Sequence, residues 1–271
     1  MAWSNVVVSK VGTICVLWPL IAFAPPTSTA LAQSAATPPE EPPLSKECQT
    51  PGVKLVLDKP LPHTLAALKE RKVIKILTIG ASASAGMDPS GGGYQDLIEE
   101  LLERTVAGLD VKIIDRGISG ELASNAAQRL KTEVALTEPD LVLWQVGSND
   151  ALAQIPADEF SETVTDAIHW LKEHNVDVVL VGLHYVSNLR NDPNYQAIRA
   201  ALTRIADSEK VIRISRYEAM EIIERMRNAS PSQRFDAFAL TEEGYSCIAE
   251  YVVRAITSAI FLKRPKFQPT N

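Results

Sequence analysis

Apolar positions between residues 65 and 261 fall into two kinds of run. Five runs, 73–79, 111–114, 141–145, 176–181 and 211–214, are short, rich in β-branched residues and nearly continuous. Continuity, in place of alternation, predicts strands buried on both faces. Between and after them, residues 94–106, 123–134, 158–173, 194–205 and 217–227 carry apolar side chains at helical spacing. A last helix is predicted over 241–261, with Thr241 and Glu243 near its start forming an imperfect cap. Strand and helix alternating five times predicts an α/β domain, a parallel sheet covered on both faces. Such sheets carry their chemistry beyond the carboxyl ends of the strands, which directs attention to residues 80–86, 115–120, 145–150, 182–188 and a late loop near 236.

Toward the N-terminus the pattern changes. Residues 34–62 hold seven prolines and little apolar periodicity, so 33–64 is predicted to be an extended tether and 65–271 the folded domain. Residues 1–32 have the makings of a signal peptide: Lys10, an apolar stretch over 11–24 and the small-x-small triplet Ala30-Leu31-Ala32, which makes Gln33 the expected mature N-terminus. Export to the periplasm or beyond is the consequence. In an oxidising compartment the two cysteines left after Cys15 departs with the leader, Cys48 and Cys247, are expected to form one disulfide.

Composition narrows the function. Of 271 residues 46% are hydrophobic and 22% charged, ordinary for a globular chain, and the formal charge of -6 excludes a basic nucleic-acid binder, so no nucleic-acid partner is expected. No run after the leader approaches the roughly 20 apolar residues of a membrane span, so the mature chain is expected to lack one. Zinc spacing, calcium loops and the dinucleotide glycine fingerprint are absent, so neither metal nor cofactor is implied. Glu99, Glu100 and Glu103 read as a solvated helix face, and Trp144 and Trp170 as core.

Three of the rim loops carry candidate chemistry. After the first strand, Gly80-Ala81-Ser82 is a small-residue turn presenting a hydroxyl at a helix start, where free amides favour a developing anion. It is neither a Walker loop nor a Gly-x-Ser-x-Gly elbow. After the second, Ile118-Ser119-Gly120-Glu121 offers a glycine amide that a carbonyl oxygen can approach without a Cβ in the way. After the third, Gly147-Ser148-Asn149-Asp150 offers the Asn149 carboxamide as a second donor to that oxygen.

Taken together, in this chain order, Ser82, Gly120 and Asn149 resemble the SGNH or GDSL hydrolases. The resemblance implies a flavodoxin-like three-layer α/β/α sandwich with a five-stranded parallel sheet. It further implies a Ser82 nucleophile that attacks a small-molecule ester, acyl, lipid or acetylated carbohydrate, with an oxyanion hole built from the Ser82 and Gly120 amides and the Asn149 side chain. The family's Asp-x-x-His stands here as Asp236-Ala237-Phe238-Ala239, so Ala239 occupies the position of the general base. Alanine cannot take a proton from Ser82, and Asp236 has no imidazole to orient. Three readings follow. His184, just past the fourth strand, substitutes as base; the chain is a relative that binds an acyl or sugar ligand without turning it over; or the alanine was introduced into an enzyme. His63, His169 and His174 lie away from the rim.

Overall fold

The structure, a computed structural model, describes residues 42–53, 59–80, 94–228 and 241–261. Its five strands, β1 (Val73–Gly80), β2 (Asp110–Gly117), β3 (Leu141–Gln145), β4 (Asp177–Val181) and β5 (Ile212–Ile214), pair in parallel in the order β2-β1-β3-β4-β5. Every residue of β3, β4 and β5 is buried, which is why these runs are continuous in the sequence. The described helices are α1 (Pro62–Arg71), α2 (Tyr94–Thr105), α3 (Ala123–Thr137), α4 (Ser148–Leu152), α5 (Ala157–Glu173), α6 (Pro193–Ser208), α7 (Arg216–Asn228) and α8 (Glu242–Phe261). Helices α1, α2 and α8 cover one face of the sheet, and α3, α5 and α6 the other. The fold is therefore the flavodoxin-like α/β/α sandwich that the family resemblance implies. In this strand order the chain reverses direction across the sheet between β1 and β3, opening a crevice at their carboxyl ends.

Several expectations are corrected. The described part of the stretch expected to be a tether is packed against the domain. Cys48 is bonded to Cys247 of α8, the Tyr251 hydroxyl donates to the Cys48 carbonyl at 2.8 Å, and the Ser45 amide donates to Glu250 at 2.8 Å. His63 and Pro62 begin α1. That helix carries no side-chain cap of its own, and the Asp177 carboxylate at the start of β4 accepts from both the amide and hydroxyl of Thr64 at 2.8 Å. Its cap comes from 113 residues away, so local sequence could not reveal it; Pro62 at the first helical position was the one local sign. Glu99 and Glu103 are more than a solvated face. They accept the Ile113 and Val111 amides of β2 at 3.3 and 3.0 Å, covering the outer edge of the sheet with side chains. Trp144 is wholly buried, whereas Trp170 is partly buried and stacks on His174 with centroids 3.8 Å apart.

The disulfide closes a loop of 199 residues, for which chain entropy gives an upper figure of about 5 kcal/mol. The double variant Cys48→Ser, Cys247→Ser is expected to lose about 2–4 kcal/mol of unfolding free energy in urea titrations. An unchanged midpoint would show that the strap holds without its bond.

Candidate active site

At the end of β1 the backbone of Gly80 has φ +94°, and a Cβ there would lie 2.1 Å from the Gln145 carbonyl oxygen and 2.9 Å from the Trp144 ring. Only glycine allows the ends of β1 and β3 to meet this closely. The Gly80 carbonyl in turn accepts the Ile118 amide at 2.9 Å, drawing the loop after β2 to the same point. Ser82, Asp236 and Ala239 lie outside the described residues.

Gly120 and Asn149, by contrast, are brought together. Gly120 has φ +79° with open space where a Cβ would stand, and no described group accepts from its amide. The Asn149 side chain, in the first turn of α4, donates through Nδ2 to the Glu121 carbonyl at 3.0 Å. A carboxamide has two N–H bonds; this contact uses one and orients the other. Next to it, the Asp150 carboxylate, 2% exposed, accepts the Ala123 amide at the start of α3 at 2.8 Å. Burial pushes that carboxyl above its ordinary range, against the hydrogen bonds from the Ala123, Asp150 and Gly147 amides. Arg129 clamps the other flank, with Nε and Nη2 on the two Glu121 oxygens at 2.8 and 3.0 Å and Nη2 also on the Arg116 carbonyl at 2.7 Å. The loop holding Gly120 is thus fixed from both sides, with the Gly120 amide and one Asn149 N–H left without an acceptor among the described residues.

His184 belongs to a different cluster. Its amide donates to the Ser148 hydroxyl at 2.9 Å, which ties the loop after β4 to α4, and its carbonyl accepts the Tyr195 hydroxyl at 2.7 Å. Its Nε2 lies 3.0 Å from Arg216 Nη1 and 3.3 Å from Gln145 Nε2. A guanidinium only donates, so Nε2 is the acceptor and the proton sits on Nδ1, which is buried without a partner among the described residues. With its lone pair taken by a cation, this imidazole is poorly placed to accept a proton from a hydroxyl. Burial first, and Arg216 second, hold its pKa well below the ordinary value. The hydroxyl of Tyr94, whose pKa burial pushes up to about 12, donates to Gln145 Oε1 at 3.3 Å and completes a polar layer under the rim.

At the centre of this layer is Arg216, 1% exposed. It forms no ion pair among the described residues, its Nε and Nη2 have no partner among them, and its guanidinium carbon lies 5.7 Å from the centre of the Tyr245 ring. Sequence reasoning passed over Arg216, Gln145 and Tyr94. The signal was there for Arg216, a charged residue two places after a fully buried strand at the functional end of the sheet.

This fold is that of the SGNH class. A model of the non-GDSL lipase-like family matches residues 47–261, and the chain belongs to that family. The name accords with a first motif that reads Gly80-Ala81-Ser82. An arylesterase of Vibrio mimicus is 32% identical over 123 residues, 45% of this chain and 57% of that protein. The esterase TesA of Pseudomonas aeruginosa is 26% identical over 138 residues, 50% of this chain and 66% of that one. The chain thus matches under two thirds of the length of either relative. Among solved structures, an alpha/beta hydrolase from the metagenome of Lake Arreo superposes with a TM-score of 0.56 at 19% identity, covering 69% of this chain and 96% of that one. The acetylxylan esterase Axe2 of Geobacillus stearothermophilus gives 0.54 at 20% identity, over 68% and 94%. Both share the fold.

The depressed His184 pKa has a sign that can be measured. The unfolded chain binds a proton near pH 6.5 that the folded chain refuses, so His184 costs nothing above that pH and removes stability as pH falls below it, by up to about 1.4 kcal/mol per pH unit. His184→Asn is expected to flatten the fall in unfolding free energy between pH 6.5 and 5 relative to the parent chain. Equal slopes would contradict a neutral, buried imidazole.

Proposed function

We propose that the protein is an ester hydrolase that works by acyl transfer at the carboxyl ends of β1, β2 and β3. The observation that carries the reading is the hydrogen bond from Asn149 Nδ2 to the carbonyl of Glu121, the residue after Gly120, which supports a common use of the two groups as donors. In this reading Ser82, two residues beyond Gly80, attacks the ester carbonyl, and the carbonyl oxygen takes the negative charge between the Gly120 amide, the Asn149 carboxamide and the Ser82 amide. The alcohol leaves with a proton, and water then releases the acid from Ser82. Names of the relatives, arylesterase and esterase, support ester substrates; an aryl or short acyl ester is the natural first probe.

Ala239 bears on rate. Without an imidazole the Ser82 proton must pass to water or hydroxide, while the oxyanion donors and substrate binding alone retain about a thousand to ten thousandfold acceleration over water. A slow hydrolase follows, and retention of an acyl or sugar ligand without turnover is the limiting case that Ala239 specifically favours. Residues 1–32 fit removal on export, which would place the enzyme in the periplasm or outside the cell, where the Cys48–Cys247 bond persists.

On a short-chain aryl ester, Asn149→Ala is expected to lower kcat by about a hundred to a thousandfold, measured as release of the phenol. A change under threefold would remove the carboxamide from the oxyanion site. Ala239→His is expected to raise hydrolysis above that of the parent chain, and rates no higher than the parent would mean that residue 239 does not stand where the base acts. A serine-directed phosphonate should label the parent chain and leave Ser82→Ala unlabelled, as read by intact mass.

A further inference from the structure

A second concavity lies away from the donor pair. Between α6, β5 and the start of α7, a cavity of about 400 Å³ is lined by Gln196, Arg199, Thr203, Arg204, Arg213 and Glu218, with Ala200. That volume is at the small end of ligand pockets. Three guanidinium groups face one carboxylate, a local charge of +2 in a chain whose formal charge is -6.

The single acid is already engaged. Glu218 Oε1 receives Arg199 Nε and Nη2, each at 3.2 Å, and Oε2 receives Arg213 Nη1 at 3.3 Å. Burial pushes the Glu218 carboxyl up, yet Arg213, its own backbone amide and Arg199 together hold it below the ordinary value, so it is ionised at neutral pH. Arg199 is pinned further, its guanidinium 4.1 Å over the Tyr217 ring and Nη1 2.9 Å from Gln196 Oε1. The neighbouring acid on α7, Glu221, is held by Arg225 at 3.1 Å and does not line the cavity.

Two cations are left with capacity. Arg204 is exposed and forms no ion pair among the described residues. Arg213 is 8% exposed, and its buried Nε has no hydrogen-bond partner among the described residues. A buried N–H on a charged group carries a desolvation cost that an anionic acceptor would remove. The open guanidinium of Arg204 and the incompletely bonded guanidinium of Arg213 both line this cavity, two cations for one oxyanion.

We propose that this cavity binds a phosphoryl dianion, as inorganic phosphate or as the phosphate of a small monoester, between Arg204 and Arg213. A dianion matches the excess of two positive charges, which an acetate would satisfy only by half. None of the lining residues is part of the donor pair at Gly120 and Asn149, so the proposal stands apart from the esterase reading.

The test titrates the full chain with inorganic phosphate, phenyl phosphate and acetate at matched ionic strength, read by isothermal calorimetry, in the parent chain and in Arg204→Ala, Arg204→Glu and Arg104→Ala. Expected are one saturable phosphate site, a dissociation constant raised at least about tenfold by Arg204→Ala, no detectable binding in Arg204→Glu, and parent affinity in the distant Arg104→Ala. Saturation by phenyl phosphate as well would identify a monoester ligand, and saturation by phosphate alone the free ion; either upholds the site. Absence of saturable binding, equal affinity for acetate, or parent affinity in Arg204→Glu would overturn it. Circular dichroism of the variants verifies folding, and Arg204, exposed on α6, can be replaced without opening the core.

Discussion

The backbone contact between Gly80 and Gln145 governs the rim of this molecule. With 2.1 Å between the Gln145 oxygen and any Cβ at Gly80, the two strand ends fit only if residue 80 is glycine. Their closeness sets the crevice where the sheet changes direction, and described groups of the candidate site are tied to both strand ends. Ile118 is bonded to Gly80, and that bond sets the approach of the loop bearing Gly120. Gln145 carries the polar layer that includes His184 and Tyr94.

Orientation at this rim is supplied by the side chains that hold the loop before α3. Asn149 and Asp150 are adjacent in sequence but reach different targets, one the Glu121 carbonyl and the other the Ala123 amide, so the short α4 grips the start of α3 at two points. Arg129 grips the same loop from the solvent side. Donors fixed before substrate arrives need no reorganisation when charge develops, the principal source of transition-state stabilisation in acyl transfer. Arg216 plays the opposite part electrostatically. Burial, and after it this buried cation, hold the His184 pKa down, and the same guanidinium occupies the His184 Nε2 lone pair.

Much of the fold was legible because its signals are local and repeated. The five apolar runs are the five strands within a few residues, and the helical stretches lie within three residues of the observed ends. What stayed hidden was long-range. The cap of α1 sits on β4, 113 residues away, and the proline-rich strap gains its order from a disulfide, the Tyr251 hydroxyl and the Glu250 carboxylate on the last helix. At the site, Gly120 and Asn149 could be read because their chemistry follows from residue type and loop position. Arg216 carried a weaker signal, its position just past a buried strand, since a lone arginine there is ordinarily a surface residue; its burial is what sets it apart.

The central claim is that one oxygen is held jointly by Gly120 and Asn149 while bonded, through its ligand, to Ser82. A crystal structure of the protein after reaction with an aryl phosphonate tests this directly. The account predicts phosphorus bonded to Ser82 Oγ and one phosphonyl oxygen about 2.7–3.1 Å from both the Gly120 amide and Asn149 Nδ2. An adduct on Ser82 whose oxygens face away from both donors, or phosphorus on another residue, would contradict it.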